Sequence, residues 1–195
     1  MNQCPLIDVN HLEVHEEPIS AGQCASMTKV LDFLSLGSWR DATEDILRTN
    51  GVTHVLSVAR ETQDDQLLAS HFICKRINME DNQDENLFDH IFDAHSFIEN
   101  VRETSGHVFV HCRRGISRSP AVVVSYIMRH KQFDYHDAFE FVKSKRGCVS
   151  LNLAFRASLE GWQPSPFVSS RSCLEVDPPT EATSSTDSLP IDMET

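Results

Sequence analysis

The feature that most constrains this chain is an apolar run, Val108-Phe109-Val110, that feeds into His111-Cys112-Arg113-Arg114-Gly115-Ile116-Ser117-Arg118-Ser119 and then, past Pro120, into the apolar stretch Ala121 to Met128. A short run of β-branched and aromatic residues reads as a buried strand, and a proline heading an apolar run reads as the first turn of a helix. The residues between must carry the chain from a strand end to a helix start on a tight loop. Such a loop gathers backbone N–H groups and the positive end of a helix around one point, and that point favours an anion.

Each residue of the loop has a physical task. The backbone N–H groups of Arg113, Arg114, Gly115, Ile116, Ser117 and Arg118 can converge on one phosphoryl group, and Gly115 allows the curl. The same field favours the thiolate of Cys112, a competent nucleophile. Arg118 closes the cradle with a planar guanidinium that holds two phosphoryl oxygens at once, which lysine cannot do. The hydroxyl of Ser119 is placed to hydrogen-bond the sulfur and stabilise it as a leaving group. His111 orients the loop rather than transferring protons. The chemistry these residues support is cleavage of a phosphate ester through a cysteine, and it calls for no metal and no cofactor.

The pattern His-Cys-x-x-Gly-x-Ser-Arg-Ser resembles the signature of the cysteine-dependent protein tyrosine phosphatase superfamily, most closely its atypical dual-specificity branch. The resemblance extends to Leu36-Gly37-Ser38 with Ala42, and to Gly51-Val52-Thr53-His54-Val55-Leu56-Ser57-Val58. It implies a general acid about thirty residues before the cysteine, followed by an Asn-Leu pair that opens a helix. Asn86-Leu87 is that pair and Asp81, 31 residues before Cys112, is the matching acid, with Asp84 the runner-up and Glu80 and Glu85 read as a solvated loop. Such an acid protonates the leaving oxygen and then takes a proton from the hydrolytic water. The resemblance also implies an asparagine bracing the phosphate loop. Asn152 stands there, preceded by Leu151 where the family has proline and followed by Ala154 where a glycine is common.

The implied activity is hydrolysis of phosphotyrosine and phosphoserine/phosphothreonine, since so compact a chain lacks the loop that deepens the pocket of larger tyrosine-specific relatives. Arg113 and Arg114 at variable loop positions keep a phosphoinositide or an RNA 5′ phosphate as an alternative substrate. A phosphoprotein-binding pseudophosphatase and a sulfurtransferase are the remaining readings, and the presence of Cys112, Arg118 and Ser119 argues against both. The implied partner is a phosphorylated protein, with a signalling kinase among the candidates.

Composition agrees with one domain and two tails. The chain has 195 residues, 40% hydrophobic, enough for a single core. Residues 1–26 read as a flexible N-terminal segment, 27–162 as the catalytic domain and 163–195 as a disordered, acidic, Ser/Thr/Pro-rich tail. The net charge of −12 is concentrated in the two tails. A nucleic-acid partner is not expected, nor is a membrane anchor, because basic surface and long apolar runs are both lacking. Six cysteines without paired spacing and without a secretory leader point to a reducing compartment, the cytoplasm and with it the nucleus.

The core alternates strand-like and helix-like segments. Residues 33–37, 53–58, 72–79 and 107–111 read as strands, and Leu87 to Val101, Tyr135 to Val142 and Phe155 to Trp162 recur at helix spacing. The expected fold is α/β, a central, mostly parallel sheet of about five strands flanked by helices, with Cys112 at the C-terminal end of a strand. His11 and His15 read as an accidental pair, not metal ligands. Cys74 is expected on a strand beside that of Cys112, close enough for a protective disulfide, though a buried structural thiol is the simpler reading. Lys143, Lys145 and Arg146 are candidates for a second phosphate site near the pocket mouth, Trp39 and Arg40 for the substrate face, and Ser165, before Pro166, for phosphorylation.

Overall fold

The computed structural model describes residues 26–60 and 68–167. The strand that ends at Cys112, β5 (Val108–Cys112), is buried along its whole length and lies in the middle of a five-stranded sheet. Parallel strands flank it, β2 (Leu34–Ser38) on one side and β3 (His54–Val58) on the other. Beyond β3 runs β4 (Ile73–Ile77), also parallel, and beyond β2 runs β1 (Thr28–Leu31), the one antiparallel member. The sheet order is therefore β1-β2-β5-β3-β4.

Side chains alternate across β5, as the pleat requires. Val108, Val110 and Cys112 face a large core built with the helices α2 (Phe88–Glu103), α3 (Arg118–Lys131), α4 (Tyr135–Lys145) and α5 (Leu153–Glu160). Phe109 faces a smaller core with Leu47, of the short helix α1 (Glu44–Thr49), and Val52, Val55, Leu68 and Phe72. Helices thus cover both faces of the sheet, and continuous apolar strands are the sequence mark of that arrangement. Helix α3 is buried at every position from Arg118 to Met128 and ends at Gln132, which takes the left-handed conformation at φ 55°. Asp134 caps α4 and Asn152 caps α5, each side chain accepting the N–H three residues on.

The expected sheet, mostly parallel and of five strands, is present, with two elements that the sequence pattern does not announce. Strand β1 buries only Val30, and α1 buries only Leu47 in six residues, so neither carries a readable period. Packing continues past Trp162: the Phe167 ring lies 4.1 Å from the Arg129 guanidinium, and Arg129 Nε donates to the Ser165 carbonyl at 3.0 Å. Beneath this segment His95 is fully buried against the rings of Tyr126, Trp162 and Phe167, and pairs with Ser125 Oγ at 2.8 Å.

The cysteine expectations change. Strand β3 separates β4 from β5, and Cys74 pairs with Val55 at the level of Phe109, three residues from Cys112. Two strand spacings across the sheet and three residues along it put the thiols well beyond the Cα separation of about 7 Å that a disulfide spans. Cys112 is a free thiol and Cys148 is disulfide-bonded, a pairing that the cysteine spacing in the sequence does not announce. Cys4, Cys24, Cys173, His11 and His15 lie outside the described residues.

Candidate active site

Because β5 ends at the C-terminal edge of the sheet, its last residue opens directly onto the loop that leads into α3. Cys112 sits there with 2% of its surface exposed. Its Sγ accepts two hydrogen bonds, from the Gly115 N–H at 3.2 Å and from Ser119 Oγ at 3.2 Å. Gly115 adopts φ +66°, and a Cβ there would stand 2.5 Å from the Gly37 carbonyl oxygen, so the curl tolerates glycine alone.

Three successive carbonyls of the loop are held from outside. Arg146 Nε donates to the Gly115 carbonyl at 3.1 Å, Ser150 N–H to the Ile116 carbonyl at 2.9 Å, and Ala121 N–H to the Ser117 carbonyl at 2.9 Å. Arg118 is 6% exposed, and its Nη1 donates to the Met79 carbonyl at 3.3 Å. Its Nε stands 4.0 Å from Asp81 Oδ2. His111 is buried and stacks on Phe109 with centroids 5.3 Å apart, a packing position behind the loop.

Asp81 reaches the loop from the chain after β4. Its Oδ1 accepts from Ser117 Oγ at 2.7 Å and from Asn152 Nδ2 at 2.9 Å. Asn152 also donates through Nδ2 to the Asn82 carbonyl at 3.3 Å, and through its backbone N–H to Ser117 Oγ at 3.2 Å. A further tie runs from the Ala154 N–H to Gln83 Oε1 at 3.1 Å. The Asp81 loop is therefore fastened to the N-terminus of α5 at three points. Asp84 faces solvent, its N–H donating to Asn82 Oδ1 within a local turn, and does not approach Cys112.

These groups surround one cavity of about 340 Å³, lined by Asp81, Cys112, Arg114, Ile116, Ser117, Arg118, Ser150, Leu151 and Asn152. An opening that gathers a buried thiol, a buried guanidinium and an exposed carboxyl is suited to an oxyanion ester. Among the described residues no group of three or more His, Cys, Asp or Glu side chains is placed to hold a metal ion. No described helix is long and apolar enough to cross a membrane.

Residues 34–165 match the family model described as dual specificity phosphatase, catalytic domain. The chain belongs to this family. Human dual specificity protein phosphatase 5 is 34% identical over 162 residues, which make up 82% of this chain and 40% of that protein. The Slingshot protein phosphatase of Drosophila melanogaster is 34% identical over 140 residues, 71% of this chain and 13% of that one. The chain thus spans well under half the length of these relatives. Among solved structures, human DUSP28 superposes with a TM-score of 0.66 at 31% identity, covering 71% of this chain and 93% of that one. The human tyrosine phosphatase-like serine/threonine/tyrosine-interacting protein does so with a TM-score of 0.63 at 29% identity, covering 69% and 93%.

Within this dual specificity phosphatase domain the residues singled out in the sequence fall into three groups. Cys112, Arg118, Ser119, Asp81, Ser117 and Asn152 converge, with Gly115 and Ile116 in the loop between them. Arg113 is exposed and does not line the cavity, whereas Arg114 does. The suggested basic cluster dissolves: Arg146 is 1% exposed and points at the back of the loop, Lys145 lies over Phe141, and Lys143 lines a neighbouring groove of about 330 Å³ between α4 and α5. Trp39 is 45% exposed in a single turn that follows β2, whose last residue pairs with Cys112. The sequence reading missed Arg146, Ser150 and Gln83 as braces. Their only signal was nearness in sequence to Asn152 and Asp81.

Proposed function

We propose that this chain is a protein phosphatase that hydrolyses phosphotyrosine and phosphoserine/phosphothreonine through a cysteinyl-phosphate intermediate. The Cys112 thiolate attacks phosphorus, an S–P bond forms, and the P–O bond to the leaving group breaks. The Asp81 carboxyl gives its proton to the departing oxygen, which leaves as an alcohol or phenol. Arg118 and the loop N–H groups hold the equatorial oxygens as charge develops on them. In the second step water attacks phosphorus, its proton passes to the Asp81 carboxylate, and the S–P bond breaks. Ser119 O–H and Gly115 N–H, both 3.2 Å from Sγ, then receive the returning thiolate.

The observation that carries this reading is the convergence on one cavity of a buried, doubly hydrogen-bonded cysteine, Arg118 and Asp81. The rim position of Asp81, whose side chain is 39% exposed, supports a cleft open enough for short phosphoserine and phosphothreonine side chains. The substrate on this reading is a soluble signalling protein, a kinase among the candidates, met in the cytoplasm or nucleus. Arg114 in the cavity lining favours, as the second reading, a more anionic ester such as a phosphoinositide or an RNA 5′ phosphate.

Matched peptides carrying phosphotyrosine, phosphothreonine or phosphoserine, with a phosphoinositide and a 5′-triphosphate RNA alongside, test the proposal in wild type and Cys112→Ser. Turnover of phosphotyrosine and phosphothreonine that is lost in Cys112→Ser, with phosphopeptide binding kept, is the expected result. Activity confined to lipid or RNA would replace the substrate class. Binding without turnover in wild type would make the chain a pseudophosphatase.

A further inference from the structure

The phosphate loop works only if its N–H groups point inward, and a glycine within it is the place where a peptide plane turns most easily. Gly115 sits at φ +66°, and its N–H already points to Cys112 Sγ. The next peptide plane, between Gly115 and Ile116, can present either its N–H or its carbonyl to the cavity. With the carbonyl inward, a lone pair faces the phosphoryl oxygens and the site repels its ligand. With the carbonyl outward, the trans geometry of the peptide turns the Ile116 N–H into the cavity, because C=O and the following N–H point in opposite directions. Ile116 lines that cavity.

What holds the carbonyl outward is Arg146, whose Nε donates to the Gly115 oxygen at 3.1 Å. Arg146 is 1% exposed and does not line the cavity, so it is not disposed to touch a bound phosphate. Its far end is anchored as firmly: Nη1 donates to the Ser26 carbonyl and to Thr28 Oγ1, each at 3.1 Å. Burial works against its charge, while Asp41 and Cys112 nearby favour it. Asp41 is itself buried and fixed by the N–H and Oγ of Ser38, at the end of β2. The guanidinium thus spans from the first strand of the domain to the back of the loop. A cation so costly to bury, bound to a loop carbonyl from outside the cavity, has a geometric task.

We propose that Arg146 is a positioning residue: it locks the Gly115–Ile116 peptide with its N–H facing the phosphate, and it takes its own bearing from Ser26 and Thr28. The N-terminal edge of the domain thereby becomes part of the anion site, although it lies before residue 34, where the family match begins. The inference rests on the phosphatase reading for its effect on rate, and on phosphate binding alone for its effect on affinity.

The test uses the full chain and inorganic phosphate, scored by protection of Cys112 from alkylation by iodoacetamide, together with turnover of p-nitrophenyl phosphate. Arg146→Lys keeps the charge but cannot serve all three acceptors. It should bind phosphate about 10- to 100-fold more weakly and turn over correspondingly slower. Its alkylation rate without phosphate should stay at the wild-type value, a split that general loosening of the fold would not produce. Thr28→Val removes one anchor at nearly constant volume and should weaken phosphate about 2- to 10-fold in the same assay. Phosphate affinity within twofold of wild type in Arg146→Lys overturns the proposal. If that variant does not melt cooperatively, wild-type affinity in Thr28→Val overturns it instead. A wild-type chain that binds phosphate without hydrolysing the ester refutes the phosphatase reading, while the affinity series still decides on Arg146.

Discussion

Acidification from pH 8 to pH 5 should destabilise this domain through one identifiable side chain. His95 is fully buried, and burial, aided by the charge of Arg129, lowers its pKa from 6.5 to about 3 against the opposing effect of a backbone partner at Val122. A histidine whose folded pKa is depressed favours folding only while the unfolded chain is also neutral. Its contribution is complete above pH 6.5 and is lost as the pH falls toward 3. At pH 5 the unfolded state holds nearly one proton at this site and the folded state nearly none, which amounts to about 2 kcal/mol less stability than at pH 8. Urea unfolding of wild type and His95→Gln at the two pH values isolates the effect, since glutamine keeps a polar partner for Ser125 but does not titrate. Other groups, including His54, His107 and His130, whose pKa values burial also lowers, are common to both proteins and cancel in the difference. The wild type should lose about 2 kcal/mol more than the variant. Equal losses, or a folded-state His95 resonance that titrates near pH 6.5, would refute the reasoning.

Asp81→Asn should slow phosphopeptide hydrolysis by about 10²- to 10⁴-fold and p-nitrophenyl phosphate far less, because that leaving group hardly needs a proton. An unchanged phosphopeptide rate would remove Asp81 from the mechanism. Gly115→Ala, which would set a Cβ 2.5 Å from the Gly37 carbonyl oxygen, should cut turnover by roughly 10²-fold or more, the scale of losing a donor to the anion. Wild-type rates there would mean that the curl tolerates a side chain. Compared with a chain cut after Phe167, one cut after Pro164 loses the Phe167 ring on Arg129 and the bond to the Ser165 carbonyl. That loss costs about 1–3 kcal/mol with kcat unchanged, and equal melting temperatures would show that the segment contributes nothing.

The strand, loop and helix around Cys112 were legible because chemistry dictates nearly every residue type there: an apolar strand, a thiol, a glycine at the curl and an arginine at the close. The placement of Asp81 and Asn152 beside the loop was legible only through family resemblance, since one acidic residue among Glu80, Asp84 and Glu85 looks like another until the fold brings it to Ser117. Arg146 could not be read. In sequence it continues the basic end of α4 after Lys143 and Lys145, and its burial follows from the backbone leaving the helix at φ −133° and ψ 87°, which swings it under the loop. The position of Cys74 failed for a different reason. Strand order in a parallel sheet is set by the crossovers, and β3 inserts between β4 and β5 without any local mark.

The Asn152 junction also has a meaning for biosynthesis. A ribosome that has released residues 1–145 has delivered Cys112, Arg118 and Asp81, with the Ser117 and Met79 contacts that join them, yet not the groups that brace the loop from outside. Arg146, Ser150 and Asn152 arrive afterwards, and Asn152 reaches back 71 residues to Asp81. A truncated or stalled product therefore carries Cys112, Arg118 and Asp81 with only part of their bracing. The full set of loop contacts thus exists only once α5 has been made and docked.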